Sequence, residues 1–475
     1  MAPVHPGGAP VKPLVVAALG TFLAVLEATI VSVALPDIRA DLGFSLTDLP
    51  WAVNAYSLAY AGFLLLGGRC ADMFGNRATM ITGAVLFAVT LVICGLATGP
   101  AMLLAARAAG GLGSALLVPV TLNVITSAYP EGPPRARAVG ALSAVGTLAA
   151  ASGPMLGGVL TQLAGWRWVF LVMVLPACAL VIGAARILPK RNNTAPRSVL
   201  DLPGALLVTC GLLALVYGVT QRSLYIGLAG PVLLAVFYRQ QARSRRPLLP
   251  VAILHTRSVW SGNLTMLLLG LGFFASPVLF SLNLQYGYGF SPMSAGLGFL
   301  PVAVAMWAGA RTAGPLTGRW GPRRSASFGC LVGATGYAAL GLTLDPHIPY
   351  WISVLLPGIV FGYGVTFAFT PITVAAVAGV PATHGGAASG LLNTVRQTTT
   401  AVGLALLSTV STTLAGPHPT PDSLSHGYAM SFLVCAGFLA AATISAWMFI
   451  PGRHTGTLRT VVEPLTKGIA IDRHK

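Results

Sequence analysis

Charge is what this sequence has least of. Asp, Glu, Lys and Arg make up 8% of its 475 residues, against roughly 25% in a soluble globular domain. Acid is scarcer still, with 11 Asp and Glu against 28 Lys and Arg. Hydrophobic residues reach 55% and mean hydropathy is +0.79. A soluble fold of this composition would have to cover its surface with apolar side chains. That excludes a soluble enzyme, a secreted disulfide scaffold and a disordered chain. Catalytic signatures are missing too: the chain has no P-loop, no HExxH and no supportable Ser-His-Asp arrangement. No enzymatic activity and no cofactor are expected. The six cysteines (Cys70, Cys94, Cys178, Cys210, Cys330 and Cys435) include no CxxC pair and no metal-ligand spacing with His. They read as small core residues, and no metal site is expected.

Long apolar runs are abundant. A membrane-crossing helix needs about 20 mostly apolar residues, and fourteen candidate runs follow one another between 14–36 and 428–450. The seventh and eighth, 202–219 and 224–238, are the weakest, and if they form one hairpin that fails to cross, the count falls to twelve. The reading is an all-α membrane protein held in the lipid bilayer. The first run continues through Pro36 without a small-residue cleavage site, so it is expected to be a span rather than a signal peptide.

The net charge of +17 and pI of about 10.2 would suggest a nucleic-acid partner in a soluble protein. Here the basic residues mark topology instead, and no nucleic acid is expected. With the N-terminus in the cytoplasm, 23 of the 28 Lys and Arg fall in cytoplasmic segments, three outside (Arg39, Arg167, Arg222) and two within spans (Arg107, Arg396). This asymmetry follows the positive-inside rule and puts both termini in the cytoplasm. The organisation expected is a six-helix lobe at 14–187, two inserted helices at 202–238, a second six-helix lobe at 259–450 and a basic tail at 451–475.

An internal echo supports two related lobes. The loop after the second span reads Gly68-Arg-Cys-Ala-Asp72-Met-Phe-Gly75-Asn-Arg77, and the loop after the tenth reads Gly314-Pro-Leu-Thr-Gly318-Arg-Trp-Gly321-Pro-Arg323. Their Gly, Gly and Arg positions coincide at an offset of 246 residues. Parallel repeats of this kind build a transporter architecture. The Gly68–Arg77 loop is a candidate conformational latch, with Gly68 and Gly75 permitting a tight turn and Asp72 and Arg77 supplying charge.

Of the eleven acids only Glu27 lies near the middle of a span. About 13 residues at 1.5 Å each put it roughly 20 Å into the first helix. An acid at that depth costs about 2.5–3.5 kcal/mol on insertion scales. Such a carboxyl can exchange a proton with a water-filled cavity. Arg107, in Arg107-Ala-Ala-Gly-Gly111-Leu-Gly113, is the candidate to tune Glu27 or relay its proton, because a permanent cation at that depth needs a partner. Arg396, in Asn393-Thr-Val-Arg396-Gln397, is the second buried cation, and the three named residues are candidates to line a cavity. The fifth span carries Gly153-Pro154-Met-Leu-Gly157-Gly158, where glycines allow close helix approach and proline removes a backbone hydrogen bond.

Together these motifs resemble the major facilitator superfamily, and within it the fourteen-helix drug:proton antiporter branch of bacterial multidrug and antibiotic exporters. Leu26-Glu27-Ala-Thr29-Ile30 through Pro36 looks like that branch's first-helix motif, with Glu27 where the branch usually has Asp. Gly68, Asp72, Gly75 and Arg77 match the signature loop. Arg107, Gly111 and Gly113 match the motif associated with proton transfer. Gly153, Pro154, Gly157 and Gly158 match the antiporter motif. The resemblance implies the major facilitator fold, with fourteen transmembrane helices as two six-helix lobes plus two inserted helices. It implies proton-driven efflux of a small amphiphilic drug or antibiotic by alternating access, conferring resistance, from a multi-pass monomer in the bacterial cytoplasmic membrane. With one mid-span acid, about one proton per cycle and neutral, zwitterionic or monocationic substrates are expected. The rival reading is a proton-coupled uptake symporter for a small nutrient on the same scaffold.

Overall fold

A computed structural model describes residues 11–452 apart from 46–47, 130–132, 191–200, 221–222, 245–250, 346, 381–384 and 417–419. The basic tail after residue 452 therefore lies outside the described residues. Among the described residues the chain is helical throughout, without a strand. Runs this apolar have no water to satisfy their peptide groups, and a helix pairs every group within its own segment.

The first lobe comprises α1 (Val11–Ile30, continued by a 3-10 turn at Val31–Val33), α2 (Leu35–Leu42), α3 (Trp51–Phe74), α4 (Asn76–Gly95), α5 (Pro100–Ala128), α6 (Pro133–Ala164), α7 (Trp168–Leu171) and α8 (Val174–Ile187). Two helices follow, α9 (Leu202–Thr220) and α10 (Leu224–Arg243), then a short α11 (Val251–Leu254). The remainder comprises α12 (Arg257–Phe273), α13 (Ser276–Leu282) with a π turn at Asn283–Gly287, α14 (Pro292–Gly298), α15 (Leu300–Trp320), α16 (Pro322–Thr343), a π turn at Trp351–Leu355 leading into α17 (Leu356–Val377), α18 (Gly385–Ala415) and α19 (Pro421–Phe449). Ten helical segments among the described residues are long and apolar enough to cross a membrane, with two shorter apolar stretches at Leu148–Ala164 and Leu206–Gly218. That is fewer than the fourteen runs expected; α3 and α10 are absent from the ten because polar residues dilute them, including Asn54 in α3 and Arg239 to Arg243 in α10.

The helices α1, α3, α4, α5, α6 and α8 pack on one another, as do α12 and α15 to α19. We call the end of the bundle holding the start of α1 proximal and the opposite end distal. The α9–α10 pair docks through α9 on α3 and α18, one helix from each lobe. Leu58 and Ala61, Val208, Leu212 and Val216, and Ala401 and Ala405 bury a separate apolar cluster there. Asp201 ties the pair together at the proximal end, accepting from the Gly204 backbone at 3.0 Å, Gln240 at 2.8 Å and Gln241 at 2.6 Å.

The sequence echo is also an echo of backbone. Gly75 closes α3 with φ +86 and ψ 155, and Gly321 closes α15 with φ +82 and ψ 162. Each donates its N–H to the carbonyl four residues back, Ala71 or Thr317, at 2.9 Å. Each accepts from the residue four ahead, Thr79 or Ser325, at 3.2 Å. A side chain would strain either turn, because L residues with a Cβ avoid positive φ.

At the distal end the two lobes meet. α6 packs on α14, and the 3-10 turn after α1 packs near α13. Gln285 donates to the Val33 carbonyl at 3.0 Å, bridging the lobes.

Candidate functional site

Glu27 and Arg107 form a buried ion pair, Glu27 at 3% and Arg107 at 1% exposure. Arg107 Nη1 donates to Glu27 Oε1, and Arg107 Nε donates to the Ala52 carbonyl at 2.6 Å. The guanidinium carbon lies 4.9 Å from the Tyr56 ring centre and 5.9 Å from that of Phe170, an arrangement that favours a cation over aromatic faces. Tyr56 donates to the Ala24 carbonyl at 3.0 Å and meets the Ser114 hydroxyl at 2.8 Å. One oxygen of the pair, Glu27 Oε2, and one nitrogen, Arg107 Nη2, are buried with no partner among the described residues. Fully satisfied buried pairs are structural clamps. A pair with spare acceptor and donor sites keeps hydrogen-bonding capacity that a proton or a water can use.

The sequence places these two residues on separate helices without a distance; the fold joins them. It also shifts Glu27 from mid-span toward the distal end. The first apolar helical segment runs Val11–Val33, so Glu27 stands six residues before its distal end. Arg107 lies in the distal third of α5 for the same reason of direction, since α5 starts at the distal end with Pro100. A side chain at Gly111 would strike the Tyr56 carbonyl, so the glycines after Arg107 let α5 approach α3 closely enough to form the site.

The Gly153–Gly158 motif links this pair to the other lobe. A Cβ at Gly153 would strike Thr29, and one at Gly157 would strike the Ile30 carbonyl. These contacts fall within one turn of Glu27. On the adjacent face of α6, about 100° round the helix, a Cβ at Gly158 would strike the Pro292 carbonyl of α14, and Gly296 of α14 lies against the Pro154 carbonyl. One helix therefore touches the Glu27 segment with one face and the second lobe with the other.

Of the expected latch, Gly68 and Arg77 are half-buried and Gly75 makes the turn; the side chain of Asp72 lies outside the described residues. Asn393, Arg396 and Gln397 are half-buried on α18. They are distinct from the Glu27 site, and Arg396 lies 5.6 Å from the Phe274 ring centre and 5.3 Å from that of Phe369. Tyr60 of α3 faces Arg396 and Gln397 from the first lobe. The two sites are neighbours through α3, whose Tyr56 and Tyr60 rings stand 6.0 Å apart. Tyr56, Tyr60, Ser114 and the two phenylalanines escape the sequence reading. The available signal was the i, i+4 spacing of Tyr56 and Tyr60, which puts both on one face of α3.

At the distal end Asp41 accepts from Arg167 at 2.6 Å and from the Trp166 indole at 3.0 Å. Arg167 also donates to the Ala97 carbonyl at 3.2 Å and stacks 4.5 Å from the Trp166 ring centre. The hydrogen bond from Arg167, and then that from Trp166, hold the Asp41 carboxyl below its usual range. Partial burial pushes the Asp37 carboxyl up, in a distal cleft it shares with Arg39 and Tyr286. Among the described residues no group of His, Cys, Asp and Glu is arranged to hold a metal ion.

The family profile described as Major Facilitator Superfamily matches residues 17–404. The chain is 40% identical to the cephamycin export protein of Amycolatopsis lactamdurans, over 91% of this chain and 90% of that protein. It is 34% identical to the puromycin resistance protein of Streptomyces alboniger, over 93% and 91%. Among solved structures, a bacterial homologue of the human lysosomal transporter Spinster superposes with a TM-score of 0.69 at 18% identity, over 94% of this chain and 97% of that one.

Proposed function

Because the chain belongs to the major facilitator superfamily, a family of membrane transporters, we propose that it exports a small amphiphilic drug or antibiotic across the bacterial cytoplasmic membrane in exchange for protons, and so confers resistance. The observation that carries this reading is the buried Glu27–Arg107 pair with its two unpartnered polar atoms, joined through α6 to the contact between lobes. The named export and resistance relatives favour efflux over the uptake alternative.

In the proposed cycle the distal end faces outward and the proximal end faces the cytoplasm, with both termini inside and fourteen crossings. The described arrangement corresponds to ionised Glu27, paired with Arg107, and a closed distal contact. Substrate enters from the cytoplasm or inner leaflet, and the lobes rock to expose it distally. After release, an external proton neutralises Glu27 and weakens its hold on Arg107. The segment around Thr29 and Ile30 then shifts against Gly153 and Gly157, and α6 carries the shift to its Gly158 contact with α14. The lobes reclose distally, and the proton leaves to the cytoplasm as the next substrate binds. The proton-motive force, pH gradient and membrane potential together, is the only energy source invoked, no cofactor is required, and the monomer is the working unit.

A drug-susceptibility panel in an efflux-deficient bacterial host tests this reading. Cells making the wild-type protein are expected to tolerate a subset of compounds that cells making Glu27→Gln, at equal membrane abundance, do not. Full resistance by Glu27→Gln under a proton gradient would overturn the coupling role.

A further inference from the structure

The two arginines set within the apolar helices are treated differently by the fold. Each lies near two aromatic rings: Arg107 at 4.9 and 5.9 Å, Arg396 at 5.6 and 5.3 Å. Arg107 has a carboxylate from the chain itself. Arg396 has none: the ion pairs among the described residues are Glu27–Arg107, Asp41–Arg167 and the weak His347–Asp422 contact. No described group hydrogen-bonds the Arg396 guanidinium either; the ionisable side chain facing it is Tyr60. A guanidinium withdrawn from bulk water is costly without a partner, and it cannot escape by losing its proton. Aromatic faces help a cation but contact its flat surface. They leave the N–H donors along its edge free, in the fork geometry that matches a carboxylate.

The location suits a ligand. Arg396 sits on α18 of the second lobe and Tyr60 on α3 of the first, so a molecule between them touches both moving parts. Asn393, Arg396, Gln397, Phe274 and Phe369 are all half-buried rather than sealed in a core. Among the described residues the one acid inside an apolar span, away from its ends, is Glu27, and it is already committed to Arg107, so no other described carboxylate at that depth is free to receive a cationic drug.

We propose that Arg396 is the recognition group for a carboxylate on the transported molecule, which packs its apolar part against Phe274 and Phe369 and meets Tyr60 and Gln397 at its polar edge. This deepens the export reading and rests on it. It narrows the substrate class from any amphiphile to one carrying an anionic group, including zwitterions, and it excludes simple monocations.

The test uses the purified full chain in lipid nanodiscs with two fluorescent probes, dansyl-phenylalanine and its uncharged methyl ester. The expected result is tighter binding of the acid than of the ester by about tenfold, the equivalent of about 1.4 kcal/mol. Arg396→Gln should remove the preference and Arg396→Lys should keep part of it. The proposal is overturned if the wild-type protein binds the acid no better than the ester, or if the preference survives Arg396→Gln. The wild-type comparison decides even if a variant fails to fold. Proton-driven efflux is read separately, in proteoliposomes with an imposed pH gradient. Loss of that activity with the acid preference intact would count against the coupling reading alone.

Discussion

Glu27 and Arg107 stabilise each other in a place where either alone would be unfavourable. Breaking a buried pair from one side leaves a lone charge and costs about 3–5 kcal/mol, whereas removing both charges can be nearly neutral. Arg107→Met is therefore expected to lower thermal stability in detergent more than the double variant Glu27→Gln/Arg107→Met does. A double variant no more stable than Arg107→Met would show that the pair is not the source of the loss. The identity of Glu27 was legible in sequence because acids are so scarce: any acid inside an apolar span stands out. Its partner was legible only as a candidate. Which residues face it was not legible, because a span apolar on all sides has no hydrophobic face from which to read helix rotation. Tyr56, Ser114 and the Ala52 carbonyl were hidden for that reason. The same ambiguity hid the aromatic neighbours of Arg396, Phe274 and Phe369.

At the scale of elements, α6 is the connecting part. Its glycines were readable as tight packing, and the structure adds that they pack on two different partners. Gly158→Leu is expected to prevent distal closure, because the added side chain meets backbone of α14 rather than a flexible side-chain end. Transport should fall to background while membrane abundance stays near wild type. An impermeant thiol reagent applied from the distal side should then label a cysteine introduced at Met293 faster than in the unaltered background. Unchanged labelling would argue that α6 and α14 do not form the gate. The distal loops carry a second elemental device. Arg167 and Trp166 favour ionised Asp41, so the stability they add is present above the ordinary carboxyl value of 3.8 and disappears as pH falls through the lowered value in the folded chain. Asp41→Asn should thus melt slightly below wild type at pH 6 and match it once the pH is well under 3.8. A gap that persists in acid would mean packing, not charge, accounts for it.

At the scale of the molecule, one repeated loop was readable in the sequence, and matching backbone at Gly75 and Gly321 gives that repeat a physical basis. The number of crossings was less readable. Hydropathy separates clear spans from loops but blurs where polar residues enter a helix, as at Asn54 in α3 and Arg239 in α10. How the inserted α9–α10 pair docks across both lobes was not readable at all, since it depends on surface shape rather than on any periodic pattern.

The unpaired state of Arg396 among the chain's own carboxylates has one further consequence, and it concerns voltage. For a substrate whose carboxylate gives it a net charge of minus one, one proton moving in and one anion moving out carry charge in the same electrical sense. Two elementary charges then cross per cycle. At about 2.3 kcal/mol per charge per 100 mV, the membrane potential contributes about 4.6 kcal/mol per 100 mV. A transporter exchanging one proton for one monocation would gain nothing from it. Collapsing the potential with valinomycin and potassium, at constant pH gradient, should therefore slow export sharply. Export indifferent to that treatment would mean that the charges balance.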